Sequence, residues 1–189
     1  RAITVARAKY TVTYPASFML VASMNPCPCG YYGHPAKPCT CTPGQVSRYM
    51  SRISGPLLDR IDLQVEIQPV AFDEMAVATP SESSMSIRDR VVAARAVQQA
   101  RYRNEEGIYC NAQMNSRLLH KYAWPDDKGL AKLKERMEKL GMSARAFDRI
   151  LRVARTIADL DCCEKVESRH ISEAIGYRSL DRASYGTSF

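Results

Sequence analysis

The sequence predicts two unlike parts: a short α/β segment of few strands carrying a cysteine-rich loop over residues 1–70, and an all-α domain over residues 85–189. Three observations carry this. Alternating and continuous apolar runs occupy the first 70 residues. Residues 71–84 contain Pro80, Ser81, Ser83 and Ser84, the composition of a linker. Beyond them, apolar positions recur at helical spacing and each run is preceded by a capping residue.

In the first part, Ile3, Val5, Tyr10, Val12 and Tyr14 alternate around Arg7-Ala8-Lys9, which predicts a hairpin with a basic tip. Residues 17–23, Ser-Phe-Met-Leu-Val-Ala-Ser, form a continuous apolar run after Pro15 and read as a fully buried, parallel strand stopped by Pro26. Residues 25–42, rich in Pro, Gly and Cys, are a loop. Pro43 suits the first turn of a helix through Ile53, and a Gly-Pro break leads into a short Leu57-Leu58-Asp59-Arg60 turn. Residues 62–67 alternate polar with apolar and predict a strand.

In the second part, Ser86 caps a helix of about 17 residues with Val91, Val92, Ala94 and Val97 as its apolar positions. Asn115 or Ser116 opens a short helix. Pro125-Asp126-Asp127 opens another that ends at Gly141. Ser143 caps a long one through Asp159, and Ser168-Arg169-His170-Ile171 opens the last. Asp148 with Arg152, and Arg155 with Asp159, stand four apart and are expected to pair on a solvated face.

Composition bounds the function. Apolar residues make up 46% and charged residues 25%, which is globular, and no apolar run approaches the roughly 18 residues of a membrane span. The net charge of +7 is uneven: residues 1–70 carry +4, residues 71–112 carry −1 and residues 113–189 carry +4. Basic excess at both ends fits a phosphate-rich partner, although solubilising charge looks the same from composition alone. Seven cysteines, four of them within fifteen positions and two adjacent at Cys162-Cys163, suit a reducing cytoplasm better than an oxidising compartment. The opening Arg1-Ala2-Ile3-Thr4 reads as a cut inside a larger protein.

The cysteines are spaced Cys27-x-Cys29-x9-Cys39-x-Cys41. Zinc takes four tetrahedral thiolate or imidazole ligands, commonly two from each of two tight turns. Two short pairs enclosing a Gly- and Pro-rich loop point to a closed, structural site, with His34 between them as a substitute ligand. Free thiols and two disulfides are the alternatives.

Three further residues stand out. Asn25 follows the apolar run, at the strand edge where open α/β sheets bind ligands; an ordinary Asn-Pro turn is the plainer reading. Arg60 stands between Asp59 and Asp62, where a structural salt bridge is the default. Arg145 is the second residue after the Ser143 cap, where the positive helix end disfavours a cation. A basic residue there makes sense for holding an anion jointly with the helix end, or for an ion pair with another domain.

Taken together, Tyr14 through Gly30, Ser54-Gly55-Pro56-Leu57-Leu58-Asp59-Arg60-Ile61-Asp62, and Ser143 through Leu160 resemble the magnesium-chelatase-related, competence-protein-M-like AAA+ ATPases, over about residues 3–178. The resemblance implies an α/β remnant of a AAA+ core, followed by a helical lid. It implies that Asn25 is sensor 1, that Arg60 is an arginine finger acting on a neighbouring subunit's nucleotide, and that Arg145 is sensor 2. The hairpin with Arg7 and Lys9 is similar to the pre-sensor-1 insertion, which in related ring helicases lines the pore and touches DNA. ATP and Mg2+ would be bound by the parent protein, as a ring, expected to be a hexamer. The family's Gly-x-x-x-x-Gly-Lys-[Ser/Thr] loop and acidic magnesium motif are absent from these 189 residues. The chain is therefore expected to be the C-terminal half of such an ATPase and inactive by itself. A magnesium-chelatase motor subunit and a non-enzymatic zinc module binding nucleic acid are the competing readings.

Overall fold

A computed structural model describes residues 2–70 and 81–178. Strands β1 (Ala2–Arg7) and β2 (Tyr10–Pro15) form the expected antiparallel hairpin, in register from Ala2 opposite Pro15 to Arg7 opposite Tyr10, with Ala8 and Lys9 as its turn. β-branched side chains fill the middle of both strands, at Ile3-Thr4-Val5 and Thr11-Val12-Thr13, and Thr4 and Thr13 meet across them through their hydroxyls at 2.9 Å. Both strands are exposed throughout.

Two strand expectations are corrected. Residues 17–23 join no ladder among the described residues, and Phe18 is 77% and Met19 87% exposed. An all-apolar run becomes a buried strand only when neighbours lie on both sides, and here the described sheet has two strands, neither next to it. Residues 62–67 are likewise reduced to one parallel bridge between Gln64 and Arg178, with Leu63, Val65 and Ile67 exposed.

Helix α1 (Pro43–Met50) begins as its sequence dictates, with Pro43 in the first turn and a reciprocal Thr42/Gln45 capping box. Helix α2 (Gly55–Leu58) is the single turn that delivers Asp59 and Arg60. Among residues 2–70 as described, only Cys27, Val46 and Gln64 are buried. This part has almost no core of its own.

The second part has one. Helix α3 (Ser84–Arg101) is capped by Ser83, whose Oγ accepts from the Ser86 amide, so the cap lies three residues earlier than expected. Val91, Val92 and Val97 are exposed while Ala94 and Gln98 are buried. The helix therefore presents a different stripe from the valine one. After a 3-10 turn (Asn111–Gln113) come α4 (Ser116–Tyr122), capped by Asn115, and α5 (Asp127–Leu140), capped by Asp126. Helix α5 ends on Gly141 at φ 59°, the left-handed stop that glycine adopts without steric cost. Helix α6 (Ala144–Leu160), capped by Ser143, and α7 (Ser168–Gly176) complete the domain. The Glu167 amide, just before α7, donates to His170 Nδ1 at 2.9 Å.

Helix α6 is central. Its Ile150, Leu151, Ala154 and Ala158 are at most 1% exposed, and the core they form includes Leu118, Leu133 and Ile171. At its C-terminal end the expected solvated pair is a buried one: Arg155 is 1% and Asp159 2% exposed. The Asp159 carboxylate accepts from Arg101 Nη1 at 2.8 Å, Asn111 Nδ2 at 2.8 Å and Arg155 Nε at 3.1 Å. Arg155 also donates to the carbonyls of Glu164 and Cys163, at 2.7 and 2.6 Å. A four-residue spacing says that two side chains meet, not which side of the helix they share.

Candidate functional site

Three places hold most of the candidate residues: a four-sulfur cluster, the Arg60 turn and the start of α6. The Sγ atoms of Cys27, Cys29, Cys39 and Cys41 all lie within 4.8 Å of one another. Cys27–Cys29, Cys29–Cys39 and Cys27–Cys39 separations are 3.3, 3.5 and 3.7 Å. Four sulfurs around zinc at about 2.3 Å have edges of about 3.8 Å, whereas a disulfide needs about 2.05 Å. The spacing fits the tetrahedral set, and none of the four is disulfide-bonded. The Gly30 amide donates to the Cys27 carbonyl at 3.1 Å, closing a tight turn that places Gly30 at φ 82°. Peptide amides also point at the sulfurs. That of Tyr31, foremost, draws the Cys29 thiol down to about 5. At Cys39 the Cys41 amide acts in the same direction. Desolvation and the Cys29 and Cys27 sulfurs outweigh it and push the thiol up to about 12. Such a cluster gains four thiolates together only with a cation at its centre.

His34 is not part of this group, which corrects its expected role as a reserve ligand. Its Nδ1 accepts from the amides of Ala36 at 3.0 Å and Lys37 at 3.1 Å, and its ring stands edge-on to Tyr31 with centroids 5.7 Å apart. It shapes the loop.

Arg60 makes no ion pair with a carboxylate among the described residues; its Nη1 donates to the Pro56 carbonyl at 2.7 Å, one turn back. Both flanking acids face elsewhere. Asp62 Oδ1 accepts from Arg149 Nη1 at 2.6 Å, and Asp59 Oδ1 lies 4.0 Å from Arg178 Nη2. Arg178 Nη1 also donates to the Ile61 carbonyl at 2.6 Å, and the Gln64 amide donates to the Tyr177 carbonyl at 2.7 Å. The helical domain thus grips the turn on both sides of Arg60 and leaves Arg60 itself exposed.

Arg145 is the second residue of α6 and is exposed; the Ser143 hydroxyl accepts from the Ala146 amide at 3.3 Å, and no acid stands in the first turn. The helix end and the guanidinium add their positive potentials. One turn later on the same face is Arg149, the residue that holds Asp62. Asn25 is exposed and lies two residues before Cys27, so the sulfur cluster tethers the chain just beyond it. Arg7 and Lys9 are exposed at the hairpin tip, far along the chain from the other residues.

Family models for the magnesium chelatase subunit ChlI match residues 1–75, and for the C-terminal region of that subunit, residues 81–178. The chain belongs to the magnesium-chelatase-related, competence-protein-M-like family. An uncharacterised protein YifB of Salmonella typhimurium is 39% identical over 95% of this chain and 34% of its own length. Competence protein ComM of Haemophilus influenzae is 36% identical over the same shares. An uncharacterised protein of Mycobacterium bovis is 37% identical over 84% of this chain and 31% of its own length. The chain thus spans about a third of the length of the curated relatives it matches. No helix among the described residues is long and apolar enough to cross a membrane.

For this family member, sequence reasoning missed Arg149, Arg178 and Gln64. The signal was present in part: if Arg60 does not neutralise Asp59 and Asp62, each acid needs another cation. The basic stripe Arg145, Arg149, Arg152 on α6 offers one.

Proposed function

We propose that this chain supplies the sensor and lid elements of a ring AAA+ ATPase that acts on DNA. Arg60 is the arginine finger, Arg145 is sensor 2 and Asn25 is sensor 1; Cys27, Cys29, Cys39 and Cys41 hold a structural Zn2+. The observation that carries this reading is the exposure of Arg60 between two acids that other arginines already occupy. A cation excluded from the pairs beside it is available to an anion outside its own chain.

The chemistry follows from where charge develops. In phosphoryl transfer, water attacks the γ-phosphorus as the bond to the β-phosphate oxygen breaks, and negative charge spreads over the transferring oxygens. The Arg60 guanidinium, presented by a clamped turn, offsets that charge in the neighbour's site. Arg145 at the α6 N-terminus does so in its own. The Asn25 carboxamide orients the attacking water. The sulfur cluster supplies rigidity: zinc bound there fixes the segment that follows Asn25 and does no chemistry on the nucleotide.

Support for the larger assembly is independent of these residues. Phe18, Met19 and Val21 are at least 77% exposed, an apolar strip of the kind that a larger α/β core covers. The break between the family matches, after residue 75 and before residue 81, supports a core of 1–70, a linker of 71–84 and a lid of 85–189. The exposed basic tip at Arg7 and Lys9 suits a DNA backbone lining a pore, and the reduced thiols suit the cytoplasm. A finger of this kind requires a head-to-tail neighbour, and a hexameric ring with ATP and Mg2+ at each subunit junction is the assembly proposed.

In the complete protein, Arg60→Ala should lower ATP hydrolysis by about 10³-fold or more while nucleotide affinity stays within a few-fold. Hydrolysis at the unaltered rate would reduce Arg60 to a structural residue. DNA binding whose affinity falls steeply with salt is expected, and salt-independent binding would count against a backbone-contacting pore.

A further inference from the structure

The geometry points to Arg149 as a positioning residue: it ties the sensor-2 helix to the arginine-finger turn, so that the state of a subunit's own nucleotide sets how its Arg60 is presented to the neighbour. This rests on the roles proposed above for Arg60 and Arg145.

Three contacts carry the inference. Arg149 lies one turn after Arg145 on α6, and its Nη1 donates to Asp62 Oδ1 at 2.6 Å, two residues beyond Arg60. Arg178, just past α7, donates to the Ile61 carbonyl at 2.6 Å and faces Asp59. Backbone pairing of Gln64 with the Tyr177–Arg178 segment fixes the register of the whole turn. Arg60, in contrast, is held among the described residues within its own turn, its guanidinium by the Pro56 carbonyl and its amide by the Leu57 carbonyl. While the Arg149–Asp62 pair is made, a movement of α6 is passed to residue 62, and Arg178 holds residue 61 beside it; Arg60 has no competing anchor outside its own turn among the described residues.

The electrostatics make Arg149 the adjustable member. Its side chain is 30% exposed and that of Asp62 43%, so the pair forms and breaks at modest cost, whereas Arg178 is buried. A γ-phosphate on Arg145 adds negative charge one helical turn away and competes with Asp62 for the same face of α6. Binding and hydrolysis in one site then have a direct route to the finger that serves the next. The class of signal is the terminal phosphate of a nucleoside triphosphate, and the receiver is a second copy of this chain.

The test uses the complete protein and a double-mutant cycle. Arg149→Ala should lower kcat by about ten- to a hundredfold, the scale of a misplaced catalytic group, with nucleotide Kd changed by less than about threefold. The same change in an Arg60→Ala background should cost less than about twofold, because a residue that acts through Arg60 has nothing left to position. Arg149→Lys should recover most of the rate, and Asp62→Asn should reproduce the Arg149→Ala loss from the other side while leaving the buried core untouched. A full, additive loss in the Arg60→Ala background would overturn the inference and make Arg149 merely structural. So would an unchanged rate in both Arg149→Ala and Asp62→Asn. If Arg60→Ala itself hydrolyses ATP normally, the finger assignment fails first, and that outcome is distinct from either of these.

Discussion

Substituting Asp159 with Asn removes a charge and preserves the side chain's shape, which isolates the electrostatics of the buried network beneath α6. In the folded protein the Asp159 side chain is 0% exposed, and those of Arg101 and Arg155 are 12% and 2% exposed. Losing one member of a buried pair leaves uncompensated charge at a cost of about 3–5 kcal/mol. Arg101 keeps some solvent and Arg155 keeps the carbonyls of Glu164 and Cys163, so the lower end, about 3 kcal/mol, is expected. Against a domain stability of about 5–15 kcal/mol this is a large share. Urea unfolding followed by far-UV circular dichroism should show the midpoint fall by roughly 1–3 M for a slope of about 1–3 kcal/mol/M. The effect should also depend on pH. Burial would raise the Asp159 carboxyl, but hydrogen bonds from Arg101 and Asn111 and the charge of Arg155 hold it below its ordinary value. Its contribution is present in full above about pH 4, the unfolded value, and is lost as pH falls through the lower folded value. Wild type and variant should converge in acid. A midpoint shift under about 0.3 M at pH 7 with an unchanged slope would refute the reasoning.

Elemental analysis of the purified chain should give about one zinc per molecule, and Cys39→Ser should lose it, as befits a closed four-ligand site; protein without metal would remove the assignment. Chelation should leave the melting of the helical domain unchanged, since no residue of the cysteine loop enters that domain's core. Gly129→Ala should destabilise by about 1–2 kcal/mol despite alanine's better helix propensity, measured as a lower Tm. An added Cβ would stand 2.8 Å from Asp126 Oδ1, the acceptor of the helix cap, and 3.0 Å from Pro125 Cβ. In the complete protein, Arg145→Ala should weaken nucleotide binding as well as turnover, in contrast to Arg60→Ala; unchanged affinity would remove Arg145 from the γ-phosphate.

What was legible in the sequence was local. The helix starts at Pro43, Asn115, Asp126 and Ser143, the glycine stop at 141 and the hairpin around Ala8-Lys9 each depend on a few adjacent residues, and each is where the pattern puts it. The four cysteines were legible for the same reason: two tight pairs announce a common centre. What was lost depends on distant neighbours. Residues 17–23 have the composition of a buried strand, and no strand stands beside them among the described residues. Of the four apolar positions expected to face the core on α3, Ala94 does so, with Gln98 one turn on, while Val91, Val92 and Val97 face out. The partners of Arg149 and Arg178 lie 87 and 117 positions away, beyond any spacing rule. The spacing of Arg155 and Asp159 predicts their pairing, but their burial depends on the helices packed over that end of α6.

The proposed role of Arg60 in a neighbouring subunit is tested most directly by mixing two inactive variants of the complete protein before ring assembly. Arg60→Ala subunits keep an intact site of their own but offer no finger; Asn25→Ala subunits keep the finger but have a defective site. Where an Arg60→Ala site faces an Asn25→Ala neighbour, it regains a complete set of residues. Random equimolar mixing should then restore about a quarter of the wild-type ATPase rate, the fraction of junctions with that order in a head-to-tail ring. A mixture as inactive as its two components would contradict the account and return Arg60 to its own chain.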